Sequence, residues 1–303
     1  MSKVVVTKEK LTAIGDAIRE KTETSEGLGL DTMPQAIRNI KGGADFTIND
    51  ASYLFTNNAR SEIKDELISL LKDVTDMNHM YCNSGITEID LSSFDTSKVT
   101  DMSYMFSGCA NLQTINMNGI DLSNTTNWHY LFHGTSNLQN LYWNDIDTSN
   151  ITNMGYLFGS SGITNIDFSH IDTSKVTNMA SIFSLCKQLE SITGFSATNK
   201  SGISLTFPAG TSASSPVALR RLTFRTDLPE GTYSIRSAIN IKYCSFDREG
   251  MVEMFNTLPD ISSLNLGASY KKITITGNPC LTDGTLTDND RAIATNKGWT
   301  LVE

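Results

Sequence analysis

Apolar residues recur along residues 74–200 in two alternating rhythms. The first places them at i, i+3 and i+4: Met102, Met105, Phe106; Trp128, Leu131, Phe132; Met154, Leu157, Phe158; Met179, Ile182, Phe183. That spacing lines one face of a helix, so each stretch predicts a helix of about two turns. So short a helix does not persist alone in water and must dock on something. The second rhythm is L-x-x-I-x-L-x-x-I. It runs through Ile86, Ile89, Leu91 and Phe94, then Leu112, Ile115, Met117 and Ile120, then Leu138, Leu141, Trp143 and Ile146, then Ile163, Ile166, Phe168 and Ile171. Its central alternation predicts a half-buried strand. Asp-Thr-Ser follows at 95–97, 147–149 and 172–174, where short oxygen-bearing side chains can cap a turn and the next helix.

The two rhythms belong to one repeat. Val74-Thr75-Asp76-Met77 returns as Val99-Thr100-Asp101-Met102, Thr125-Thr126-Asn127-Trp128, Ile151-Thr152-Asn153-Met154 and Val176-Thr177-Asn178-Met179, at steps of 25 or 26 residues. A fainter copy precedes them at Ile48-Asn49-Asp50-Ala51 with Tyr53-Leu54-Phe55. A strand and a short helix cannot bury their apolar sides alone, whereas stacked copies can. The expected fold class is therefore α/β, a leucine-rich-repeat-like solenoid of strand–helix units over residues 44–200. Ile89, Ile115, Leu141, Ile166 and Ile192 should form one buried column, and Phe106, Phe132, Phe158 and Phe183 another. The fifth unit loses its strand pattern at Gly194.

Residues 1–43 have a different character. Thr7 can cap a helix over 8–21 bearing Leu11, Ile14 and Ile18, and Asp31-Thr32-Met33-Pro34 can open a second. Forty residues rarely fold alone, so this module is expected to attach or oligomerise. A charged helix is expected within 56–73. Residues 201–303 carry irregular repeats: strands at 241–244, 264–266, 273–276 and 299–302, a helix over 248–257, and a last helix capped by Thr287-Asp288-Asn289-Asp290. A solenoid needs its open end covered, and this segment is the natural cap.

The stretch from Ile89 through Asp95-Thr96-Ser97-Lys98-Val99-Thr100-Asp101-Met102-Ser103-Tyr104-Met105-Phe106 resembles the repeat of BspA-type leucine-rich-repeat surface proteins. The tail, Ile273–Pro279 and Ala292–Trp299, is similar to the closing segment of that group. The head, Leu11–Thr22 with Asp31–Ile37, resembles a short module at the front of phage tail and baseplate-associated proteins of Gram-positive hosts. Together these resemblances imply a phage or prophage virion protein with a BspA-like recognition domain. Trp128 departs from the usual Met. The resemblance fixes no binding residue.

Composition narrows the classes of function. The 303 residues carry a net charge of −9, a poor match for nucleic acid or anionic membranes. No apolar run is long enough to span a bilayer. The run Val4-Val5-Val6 is shorter than the roughly seven residues that a secretory signal needs, so synthesis without a cleaved leader is expected. The five cysteines, at 82, 109, 186, 244 and 280, have no metal-ligand spacing, and buried free thiols fit them. His129 and His133 are four apart but lack the glutamate of a hydrolase motif. Gly27-Leu28-Gly29-Leu30 follows no strand, and the Asp-Thr-Ser corners lack the glycine-rich nonapeptide that wraps calcium. Polar residues are spread evenly over the copies rather than gathered in one cluster, so catalysis, metal and cofactors are not expected.

Two rows of residues could bind a ligand. The outward strand face offers Asp90, Asn116, Asn140, Tyr142, Asn144 and Asp167, with Glu88, Ser92, Thr114, Asn118, Asn165 and Ser169 beside them; acids, amides and an aromatic ring suit a sugar chain. The second row is Tyr53, Tyr104, Tyr130 and Tyr156, two residues beyond the Met position, which either face outward or pack between neighbouring units. The expectation is a tail-associated structural and host-recognition protein that contacts a host cell-surface glycan or protein and other tail proteins, as a homo-oligomer with a trimer foremost. A BspA-like bacterial adhesin and an intracellular protein-interaction scaffold are the alternatives.

Overall fold

The structure is a computed structural model that describes residues 4–5, 46–47, 51, 54–55, 71, 73–196, 217–226, 238–264 and 267–303. The helices expected within 8–21 and from Asp31 lie outside the described residues, as do Tyr53 and all of 56–73 except Leu71 and Asp73. The short strands β1 (Val4–Val5) and β2 (Phe46–Thr47) pair in parallel.

The repeat produces β3 (Glu88–Asp90), β4 (Thr114–Asn116), β5 (Asn140–Tyr142), β6 (Asn165–Asp167) and β7 (Ser191–Phe195). β8 (Arg221–Phe224) follows. All neighbouring pairs are parallel, with Ile89, Ile115 and Leu141 in one register and Ile166, Ile192 and Leu222 in another. The strands fall into two sheets, β3-β4-β5 and β6-β7-β8. Gly194 does not end its strand. It sits at φ +61° in a bulge of β7 against β8, and a Cβ there would lie 2.7 Å from the backbone of Ser169.

The other half of each unit is not a helix. Met102–Cys109 and its copies form runs of turns, because two residues per copy take left-handed φ: His79 and Asn83, Tyr104 and Gly108, Tyr130 and Gly134, Tyr156 and Ser160, Ser181 and Leu185. An α-helix of L-residues excludes such φ values, which cost a non-glycine residue roughly 1–2 kcal/mol each. Hydrogen bonds to the next unit offset the cost. The N–H groups of Met102, Tyr104, Phe106 and Gly108 donate to the carbonyls of Asn127, His129, Leu131 and His133 at 3.1, 2.9, 3.0 and 2.8 Å. The intervening Met105, Ser107 and Cys109 close turns on the residue three back. The i, i+3, i+4 apolar residues still point inward, so the rhythm resembles a helix while the hydrogen bonding does not.

The Val-Thr-Asp-Met motif has a clear role. Asp76, Asp101, Asn127, Asn153 and Asn178 are bridged in parallel from one unit to the next. Each of Asp101, Asn127, Asn153 and Asn178 accepts from the backbone N–H two residues on, at 2.7–3.1 Å. Asn127 and Asn178 also donate to their counterparts one unit back. At the other corner Asp95, Asp147 and Asp172 accept from the amides of Ser97, Ser149 and Ser174, capping turns rather than helices.

Between these layers lies one core. Phe106, Phe132, Phe158 and Phe183 stack at centroid spacings of 6.1, 5.3 and 6.0 Å. Ile89, Ile115, Ile166 and Ile192 are buried, but Leu141 is only half-buried, a departure that the break between the two sheets explains. Beyond the repeats, β9 (Ile239–Asn240), β10 (Lys272–Thr274) and β11 (Thr300–Val302) form a parallel sheet in the order β11-β10-β9. Thus the strand expected at 241–244 ends before Ile241. Leu264 lies in a bend, while residues 265–266 are outside the described set. Helix α1 (Arg248–Thr257) is capped by Asp247, α2 (Pro279–Thr282) is a single turn, and α3 (Asp288–Asn296) begins with a capping box between Thr287 and Asp290.

Candidate functional site

Strand alternation turns Ile89, Ile115 and Leu141 inward and leaves their neighbours outside. The parallel register then sets Glu88, Thr114 and Asn140 in one row and Asp90, Asn116 and Tyr142 in the next. Asn116 Nδ2 donates to Asp90 Oδ1 at 3.1 Å, and Asn140 Nδ2 to Thr114 Oγ1 at 3.3 Å. The Asn144 amide donates to Asn118 Oδ1 at 2.8 Å. Tyr142 is 47% exposed, a large aromatic side chain left open to solvent. The Ser92 backbone amide and hydroxyl, with Asn116 beside them, hold the Asp90 carboxyl below the usual range.

The sheet break divides the expected row. Asp167 does not continue the Asp90–Asn116–Tyr142 register but pairs with Thr193 on the second sheet, where Thr193 Oγ1 donates to Asp167 Oδ1 at 3.2 Å and Ser191 Oγ to Asn165 Oδ1 at 2.7 Å. Partial burial raises the Asp167 pKa, but the Ser169 amide and hydroxyl and Thr193 outweigh it, so the net shift is downward. A cavity of about 320 Å³ lies along the break. Its apolar floor includes Leu141, Trp143, Ile163 and Ile166, and its rim includes Asn144 and Asp167.

The cavity and its Ser191 and Thr193 wall were not singled out from sequence. A signal for them was present. Ten residues separate Met102 from Leu112, Trp128 from Leu138 and Met179 from Leu189, but nine separate Met154 from Ile163, as they do Met77 from Ile86. The shorter path takes Gly162 close against the preceding copy, where a Cβ would sit 2.0 Å from the Ser136 carbonyl oxygen. Trp143, stacked on Trp128 at 6.4 Å, also fills a slot held by Leu91, Met117 and Phe168 in other units.

The tyrosine row packs against itself. Tyr104, Tyr130 and Tyr156 stack nearly parallel at 4.7 and 4.6 Å, with His79 on the Tyr104 face at 4.5 Å. Their ring faces are therefore largely occupied by one another, and the row presents edges and hydroxyls. Burial and the two neighbouring tyrosines push the Tyr130 pKa up. Among the described residues no group of three His, Cys, Asp or Glu is placed to hold a metal ion. Nor is any helix among them long and apolar enough to cross a membrane.

Parallel strands and one-way turn ladders, copied every 25 or 26 residues, define a mixed α/β repeat protein. The chain belongs to the family described as "Mycoplasma protein of unknown function, DUF285", whose model matches at residues 49–144 and again at 112–217, together more than half of the chain. That repeat family is related to BspA-like surface repeat proteins. No curated protein matches the chain.

Proposed function

We propose that the array is a leucine-rich-repeat-like solenoid of the BspA kind, and that the protein is a structural and host-recognition component of a phage or prophage tail. It acts by binding rather than catalysis, with a host cell-surface glycan held on the strand face. The in-register row of Asp90, Asn116 and Tyr142 carries this reading, because it sets a carboxylate, an amide and an exposed ring at regular strand spacing. Such a row offers hydroxyl hydrogen bonds and one stacking face to an extended sugar chain. Each contact is weak, so attachment comes from several subunits acting together. The resemblance of residues 11–37 to a tail-associated module supports the virion setting. Residues 1–43 then join copies of the chain, as a trimer, to one another and to other tail proteins.

Labelled protein should bind intact Gram-positive host cells and lose that binding when wall polysaccharide is stripped. Tyr142→Ala combined with Asn116→Ala should weaken attachment at least tenfold with little change in melting temperature. Unchanged attachment by the double variant sinks the strand-face site and moves attention to Tyr104, Tyr130 and Tyr156. Removal of residues 1–43 should convert the oligomer to a folded monomer in light scattering, and equal masses for the two forms refute the role of the head.

Membership of a family related to BspA-like surface repeat proteins favours a second reading, a bacterial surface adhesin. Antibody labelling decides between them: decoration of particles released by lysis supports the tail, and decoration of intact producer cells supports the adhesin.

A further inference from the structure

The strand side of the array is open at one place. Paired strands lie ~4.8 Å apart, yet most Cα pairs between β5 and β6 are more than 8 Å apart. Elsewhere the ladder follows a fixed rule, seen in Thr114 N–H to Thr87 O and Leu91 N–H to Asn116 O. Applied to β5 and β6, that rule would join Asn165 N–H to Gln139 O, Leu141 N–H to Asn165 O, Asp167 N–H to Leu141 O and Trp143 N–H to Asp167 O. None of these bonds forms. Two strand edges therefore face each other across a gap with their peptide groups unpaired, which is a template for another strand.

The gap is bounded at both ends. Gly162 N–H donates to Thr135 O at 3.0 Å before the strands, and Asp172 N–H to Thr148 Oγ1 at 2.7 Å after them. Only about three residues of an entering chain could reach strand depth. An inward side chain would meet the apolar floor at Leu141 and Ile166, and its neighbours would point out past Asp167. Of the residues that line the gap, Asp167 is the one that carries a charge. Residues 99–174 contain Asp101, Asp121, Asp145, Asp147, Asp167 and Asp172 but no Lys, Arg or Glu.

We propose that the gap between β5 and β6 docks an extended, cationic polypeptide segment, which enters as the strand missing from the ladder. Alternating donors and acceptors on both edges match the regular spacing of a peptide backbone, which sugar hydroxyls do not reproduce. The central residue of the segment is apolar, and a Lys or Arg beside it faces Asp167. This site uses backbone groups, and so stands apart from the glycan reading, which rests on the outward side chains Asp90, Asn116 and Tyr142.

Amide exchange in the full chain tests it with the peptide acetyl-Thr-Lys-Ile-Lys-Val-Asn-amide. In the free protein the amides of Leu141, Asn165 and Asp167 should exchange much faster than those of Ile115 and Asn116. The peptide should slow them at least tenfold, and a version N-methylated at Ile and Val should not. Asp167→Asn should weaken peptide binding about two- to fivefold, the worth of an exposed ion pair. Slow exchange of these amides without peptide means that the gap is closed, and overturns the proposal. Equal protection by the N-methylated peptide, or none by either, also overturns it. Protection by an N-acetylglucosamine oligomer but not by the peptide assigns the gap to glycan instead. None of these outcomes depends on Tyr142→Ala with Asn116→Ala, so the two proposals fail separately.

Discussion

Arg248 holds Asp290 at two points, Nε to Oδ2 at 2.9 Å and Nη2 to Oδ1 at 2.8 Å, tying the first turn of α1 to the first turn of α3. The same carboxylate accepts from the Thr287 amide at 2.9 Å and the Thr287 hydroxyl at 2.8 Å. Arg248 first, and Thr287 after it, pull the Asp290 pKa down to about 2. An unfolded aspartate titrates near ~3.9. The stabilisation is therefore complete above that value and lost as pH falls through about 2. Acid unfolding followed by circular dichroism should show a steep component between those limits, and Asp290→Asn should be less stable at neutral pH and lack it. An unaltered acid profile in the variant would remove Asp290 from the account.

Phe132 lies in the middle of the phenylalanine column, fully buried between Phe106 and Phe158. Replacing it with Ala should cost about 3–5 kcal/mol, the usual range for a truncated core aromatic. Denaturant unfolding measures this directly. A loss below about 1 kcal/mol would mean that the column is not a continuous core.

Gly162 and Gly194 should resist substitution for different reasons. A Cβ on Gly162 collides with a carbonyl oxygen, whereas Gly194 adds left-handed φ to its crowding against Ser169. Gly162→Ala should cost about 1–3 kcal/mol by overpacking, and Gly194→Ala should cost more. Melting temperatures of the two variants give the order, and an unchanged value for Gly194→Ala counts against the bulge.

Thiol reactivity should be uneven. Cys109, Cys186, Cys244 and Cys280 are buried, and burial lifts Cys109 and Cys186 to about 12 and Cys280 to about 11. Cys82 is half-buried. A disulfide reagent at pH 8 should label Cys82 first in the native chain and all five cysteines only after denaturation. Rapid native labelling of Cys109 or Cys186 would contradict the packing.

The strand side was largely legible in the sequence. Alternation through Ile89, Ile115 and Ile166 names both the buried column and the outward row, because a strand has one period and two faces. The turn side was not. Apolar residues at i, i+3 and i+4 match a helix, but left-handed φ at Tyr104, Tyr130 and Tyr156 depends on bonds to the next unit, and no local pattern encodes those. Gly108 and Gly134 carried a hint of it, since glycine accepts positive φ freely. The strand edges exposed at Leu141 and Asn165 coincide with a nine-residue spacing before Ile163. That spacing is visible in the sequence and gains meaning only once the units are stacked.

The turn segments also give the array a polarity. From Met77 through Phe158 the inter-unit bonds of these segments run one way, with N–H groups directed at the following unit and carbonyls at the preceding one. Peptide dipoles aligned in this manner add as they do along a helix. The turn ladder thus carries a macrodipole across its units, positive toward residue 185 and negative toward residue 51, opposed in part by the Thr100, Thr126, Thr152 and Thr177 N–H groups, which donate to the preceding unit. The two ends of that ladder are therefore electrically unlike, so a unit reversed in the stack would set like dipole ends against each other.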